Sequence, residues 1–98
     1  MQLEDMLANA EQASTLLRAM SNKHRLLILC LLNGGELSVS AIMEKLALPQ
    51  STLSQHLSVL RKDELVTTRR DAQTIYYSLA SSEVEAIIAL LYSLYCES

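Results

Sequence analysis

The sequence predicts one mainly helical α+β domain: four helices, a β-hairpin and a closing helix. Three observations carry that expectation. Apolar residues recur at helical spacing up to about residue 62 and again beyond residue 82, and between residues 66 and 79 the period changes to two. A chain of 98 residues with only two glycines and one proline leaves no material for a turn-rich sandwich or a second domain.

Leu3, Met6, Ala10, Ala13, Leu17 and Met20 alternate at three- and four-residue spacing, with Leu7 and Leu16 beside them, which makes one stripe of an amphipathic helix. Ser21 or Asn22 caps a second helix that runs to about Asn33. Its centre, Leu26 to Leu32, is apolar on nearly every side, as in a central buried helix, and Gly34-Gly35 ends it. Ser38 opens a short helix to about Ala47 that turns Val39, Ile42, Met43 and Leu46 inward. Leu48-Pro49 breaks it, and Pro49 suits the first turn of the next helix, about Gln50 to Asp63, which buries Leu53, Leu57 and Leu60.

The runs 66–70 and 74–79 are β-branched or aromatic and are joined by Asp71-Ala72-Gln73, the pattern of a hairpin. Ser81 or Ser82 caps a last helix with Glu83 and Glu85 in its first turn, where the helix dipole favours them, and Val84, Ile87, Ile88, Leu91 and Leu94 form its stripe. Two short helices around a tight turn followed by a hairpin make a winged helix-turn-helix, here with an extra helix at each end. Residues 1–98 are expected to form this single DNA-binding domain. Half of the residues are hydrophobic, generous for so short a chain. The terminal helices, about 3–20 and 82–96, are therefore expected to form the interface of a homodimer.

The net charge of −3 conceals a segregation. All eight basic residues lie between Arg18 and Arg70, a stretch with a net charge of +4, and the flanks carry −7. A basic middle between acidic ends fits a nucleic-acid face on one side of the molecule. No apolar run reaches the roughly 18 residues of a membrane span. Met1 to Ala10 carries Glu4 and Asp5 without Lys or Arg, unlike a signal peptide. The expected setting is cytoplasmic, with no membrane association.

In a helix-turn-helix the second helix enters the major groove. With Leu53, Leu57 and Leu60 buried, Ser51, Gln55, Ser58 and Lys62 point away from the core, flanked by Thr52 and Ser54, and Gln50 stands at the helix start. Gln can address adenine through two hydrogen bonds, and Ser or Thr can address several base edges or phosphates. His56 falls near the buried side and reads as a packing residue as readily as a reader. Arg69, Arg70 and Gln73 are expected at the hairpin tip, suited to phosphates or the minor groove, although a charged strand edge also serves solubility. Arg61, Lys62, Lys23 and Arg25 are expected against phosphates.

Cys30 and Cys96 stand 66 positions apart, with neither zinc-motif spacing nor the density of a disulfide scaffold. In a reducing compartment both are thiols. They are candidates for redox chemistry, or equally a small core hydrophobe and an exposed terminal thiol.

Leu17 to Cys30, Gln50 to Leu57 and Leu65 to Tyr77 together resemble the ArsR/SmtB family of bacterial repressors over nearly the whole chain. The second-helix Cys30 and the ending Leu94-Tyr95-Cys96 are similar to a narrower two-cysteine branch that includes persulfide sensors and a haemolysin regulator. The resemblance implies a homodimeric winged helix that binds a palindromic operator when reduced. It also implies that Cys30 and Cys96 approach within one chain and that linking them, by oxidation or through added sulfur, releases DNA. Lys23 and Arg25 are the cations expected to lower a thiol pKa there.

Metal sensing is common in the wider family, and this sequence departs from its pattern. Ser38 and Ser40 stand where thiolate ligands would be, and residues 81–98 contain no His. Neither a metal nor another cofactor is expected. No Gly-rich phosphate loop, carboxylate pair or activated nucleophile points to an enzyme. Two other readings stand beside it: an activator that uses the same residues to compete with a silencing nucleoid-associated protein without a cysteine switch, or a protein-interaction module that binds no DNA and offers its acidic terminal helices to a partner.

Overall fold

The computed structural model describes residues 2–97. In chain order the elements are α1 (Leu3–Met20), α2 (Lys23–Leu32), β1 (Leu37–Ser38), α3 (Val39–Leu46), α4 (Gln50–Lys62), β2 (Val66–Asp71), β3 (Thr74–Leu79) and α5 (Ser82–Tyr95). Each helix start has a local cause. Asn22 Oδ1 accepts from the backbone N–H groups of His24 and Arg25 at 2.9 and 3.1 Å, which caps α2. The Ser38 and Ser81 hydroxyls accept from the N–H groups of Ala41 and Val84 and cap α3 and α5 in the same way.

Leu29, Leu32, Ile42, Leu53, Leu57, Leu60 and Val84 share one core with Leu65, Val66 and Ile88. Each such side chain contributes roughly 1.5–3 kcal/mol by leaving water. The helix-turn-helix is therefore held from below by α2 and from the side by the first residues of the wing. Ala47 ends α3 at φ 53, the left-handed conformation that allows the sharp turn into Pro49. Pro49 is the N-cap of α4 rather than a residue of its first turn.

The wing has three strands, one more than the sequence predicts. β1 pairs antiparallel with β3 through Leu37↔Tyr77 and Ser38↔Tyr76, giving the order β1-β3-β2. The β2–β3 turn is also tighter than expected. Asp71 pairs with Thr74, so only Ala72 and Gln73 connect the strands, with Ala72 at φ 56.

α2 is not apolar-packed on all sides. Ile28, Leu29 and Leu32 are buried, whereas Leu27 and Cys30 are exposed on the opposite face. α1 meets the core only through Leu16, Ala19 and Met20, so Leu3, Met6, Leu7 and Leu17 remain exposed. On α5, Leu90, Tyr92, Leu94 and Tyr95 are likewise exposed. Among the described residues, no helix is long and apolar enough to cross a membrane.

Candidate functional site

Burial of Leu53, Leu57 and Leu60 on one side of α4 fixes the rotation of the helix. Gln50, Ser51, Ser54, Gln55, Ser58 and Lys62 are exposed, and Thr52 is half-buried at their margin. No side chain caps the start of α4, so its first N–H groups add to the polar character of this end. Arg61 and Lys62 occupy the last turn.

His56 is half-buried and turned toward the body of the protein. Its Nδ1 lies 3.5 Å from Nη1 of Arg25, and its ring centroid is 5.7 Å from that of His24. Burial pushes its pKa down, and Arg25 and then His24 push in the same direction. Of the two readings the sequence left open for His56, the geometry describes packing.

Arg25 is engaged in a way the sequence does not predict, because its half-buried guanidinium bonds to the protein itself. Nε donates to the carbonyl of Ala19 at 2.6 Å and Nη2 to that of Arg18 at 3.4 Å. These are carbonyls at the C-terminus of α1, where a cation meets the negative end of the helix dipole. Arg25 thus joins the end of α1 to α4. Nothing in the sequence signalled this, because the partners are set by how α1 folds back on α2.

Arg69 departs from expectation as well. The register places it opposite Tyr76, two rungs below the pair that closes the hairpin, so Arg70 and Gln73 lie nearer the tip. Arg69 Nε and Nη2 donate to the two carboxylate oxygens of Glu36 at 2.9 and 2.8 Å, and its Cζ sits 4.5 Å over the Tyr76 ring. Neither Glu36 nor Tyr76 was singled out from the sequence, and an acid 33 positions away leaves no local signature.

Cys30 and Cys96 line one groove of about 500 Å3 between α2 and α5, together with Leu26, Asn33, Gly34, Ile88, Leu91, Tyr92 and Tyr95. Both are free thiols. Partial burial against the groove wall pushes the Cys30 thiol up, and the neighbouring Cys96 adds to the rise. Neither Lys23 nor Arg25 lines the groove, and the Cys30 thiol is raised where a lowering by these cations was expected. Among the described residues, no three His, Cys, Asp or Glu side chains are placed to hold a metal ion.

A short helix pair whose second helix turns a polar face outward, braced by a three-stranded wing, defines a winged helix-turn-helix DNA-binding regulator. The chain belongs to the ArsR family of bacterial regulatory proteins, whose sequence pattern matches residues 22–68. It is 52% identical over 98 residues to the transcriptional activator HlyU of Vibrio cholerae, covering 100% of this chain and 91% of that one. The structure of reduced HlyU from that organism superposes with a TM-score of 0.91 at 52% identity, over 96% of this chain and 99% of the other. The transcriptional repressor BigR of Xylella fastidiosa gives a TM-score of 0.93 at 36% identity over 100% of both chains. A homodimeric winged helix-turn-helix domain from Mycobacterium bovis gives 0.80 at 32% identity, over 95% of this chain and 86% of the other. These relatives are regulators of transcription and not enzymes.

Proposed function

We propose that this protein is a homodimeric regulator that binds a palindromic operator while Cys30 and Cys96 are thiols and releases it when they are linked. The observation that carries the switch is the convergence of two cysteines, 66 positions apart in sequence, on one groove between α2 and α5. In this reading Gln50, Ser51, Thr52, Ser54, Gln55 and Ser58 address base edges. Lys62, Arg70 and Gln73 meet the backbone or the minor groove, and His56 sets the seat of α4 from behind. The exposed apolar faces of α1 and α5 form the dimer contact and present two reading helices to the two halves of the operator.

The chemistry balances with either of two oxidants. With peroxide, two thiols lose two electrons and two protons to form a disulfide, and the peroxide becomes two molecules of water. With an organic persulfide, the Cys30 thiolate takes the terminal sulfur and releases R–SH. The Cys96 thiolate then attacks the sulfur bound to Cys30 and expels hydrosulfide. A second sulfur transfer before closure leaves an extra sulfur in the bridge, which relaxes the Cα separation of about 7 Å that a plain disulfide requires.

A link draws α2 toward α5. Because α2 also carries Arg25 against His56 of α4, its displacement changes the seat of the reading helix. Activation, as in the name of HlyU, and repression, as in that of BigR, are both compatible with this DNA surface. Activation would follow if the dimer competes with a silencing nucleoid-associated protein for the same DNA.

The test is mass spectrometry of nonreduced tryptic peptides after exposure to an organic persulfide or to peroxide. Cys30 falls on peptide 26–45 and Cys96 on 71–98. A cross-linked pair within one chain supports the switch, and added sulfur identifies persulfide as the signal. Both peptides recovered unlinked under both treatments would overturn it.

A further inference from the structure

The wing is attached to the rest of the protein by little backbone pairing. β2 and β3 share six rungs, but only two rungs join β3 to β1, the strand that leads into α3. Across these strands Arg69, Tyr76 and Ser38 occupy one row, and Glu36 lies two residues before Ser38 on the same face. The Arg69 side chain therefore reaches from the outermost strand, over the ring of Tyr76, to the residue beside β1. Ser38, at the far end of that row, caps α3 and begins the helix-turn-helix.

The guanidinium is exposed, but its hydrogen-bonding edge and one face are engaged. Its Nε–Nη2 edge is taken by the Glu36 carboxylate, Nη1 lies 4.0 Å from Asp71 Oδ2, and one face rests on Tyr76. A phosphate approaching it would meet two carboxylates. Arg70 is exposed and remains the wing's other cation.

We infer that Glu36 and Arg69 are positioning residues for DNA binding. Their ion pair sets the angle of the wing against the helix-turn-helix, and Arg69 is not itself a phosphate contact. A planar fork is required, because only guanidinium can grip both carboxylate oxygens and lie flat on a ring. An ammonium at this position would keep the charge and lose the geometry.

The experiment is a salt titration of DNA affinity with the full-length protein. Its probe is a duplex of about 30 base pairs selected by the wild type from a random pool, long enough for two half-sites about one turn apart. The variants are Glu36→Gln, Arg69→Gln, Arg69→Lys, the Glu36→Gln/Arg69→Gln double, and Arg70→Gln as the comparator. An exposed ion pair contributes little to stability, so all should stay folded, which thermal melting checks. Glu36→Gln, Arg69→Gln and Arg69→Lys should each lose about three- to tenfold in affinity, with the double no worse than either single. The salt slope should be unchanged in all four, whereas Arg70→Gln should lower it by about 1.8, one phosphate contact being lost at each half-site.

The inference is overturned if Glu36→Gln binds as well as or better than the wild type, or if Arg69→Lys retains wild-type affinity. It is overturned equally if Arg69→Gln lowers the salt slope by about 1.8, because Arg69 would then be a phosphate contact in each protomer that Glu36 merely shields.

Discussion

Arg25 Nη1 stands 3.5 Å from Nδ1 of His56, which joins the first turn of α2 to the reading helix through two groups that cannot both be cations without repulsion. Arginine has only donors, so the contact uses the Nδ1 lone pair and requires the neutral imidazole with its proton on Nε2.

The His56 contact makes stability depend on pH. Burial, Arg25 and His24 all lower the His56 pKa in the folded state, so the unfolded chain takes up the proton first as pH falls. The His56 contribution is complete above the unfolded value of about 6.5 and is lost as pH falls from there toward the lower folded value. Thermal melting between about pH 7.5 and about pH 5 should show a falling Tm in the wild type and a shallower fall in His56→Gln.

Cys30 behaves in the opposite sense with respect to pH. A thiol whose pKa is raised by burial and by Cys96 is mostly protonated at neutral pH. Its alkylation rate should be slow there and should keep climbing with pH beyond the point where an ordinary thiol levels off. Cys96→Ser removes one cause of the rise, so Cys30 should then react faster at pH 8. Stopped alkylation followed by mass spectrometry measures both rates.

Ala72 occupies the left-handed region at φ 56 in the two-residue turn of the wing. A side chain with Cβ costs about 1 kcal/mol there, and asparagine tolerates the conformation best among non-glycine residues. Ala72→Asn should raise unfolding free energy by about 0.5 kcal/mol, and Ala72→Val should lower it by about 1 kcal/mol or more. Urea denaturation measures both.

The outer faces of α1 and α5 predict association. Leu7 is 68% exposed and Leu94 is 63% exposed, apolar surface of a kind that isolated soluble domains rarely leave uncovered. Sedimentation should show a dimer for the wild type and a monomer for the Leu7→Glu/Leu94→Glu double variant, with helicity retained. A folded wild-type monomer at tens of micromolar would contradict the assigned interface.

Much of the fold was legible because it depends on local rules. The 3.6-residue stripes, the caps at Asn22, Ser38 and Ser81, and the period-two run after Leu65 are each encoded within a few residues. β1 was not legible, since a strand of two residues exists only because β3 lies beside it. The exposure of Cys30 was hidden in a leucine-rich run, where composition looks the same on every side and only the packing of the other helices decides which side is open. The polar face of α4 could be listed from the spacing of three leucines. The partners of Arg25 and Arg69 were not legible because a long cationic side chain takes whichever acceptor the tertiary fold brings near, and for Arg69 that acceptor, Glu36, is 33 positions away.

If the switch operates as proposed, linking Cys30 to Cys96 releases DNA. The most direct measurement is the affinity of the wild type and of Cys30→Ser for the selected duplex, before and after one round of persulfide or peroxide, with re-reduction as the control. The treated wild type is expected to lose at least about tenfold in affinity and to recover on reduction, a coupling of about 1.4 kcal/mol or more, while Cys30→Ser binds equally in both conditions. A Cys30→Ser protein that loses affinity as the wild type does, or a wild type that keeps its affinity while the link is present, would contradict it.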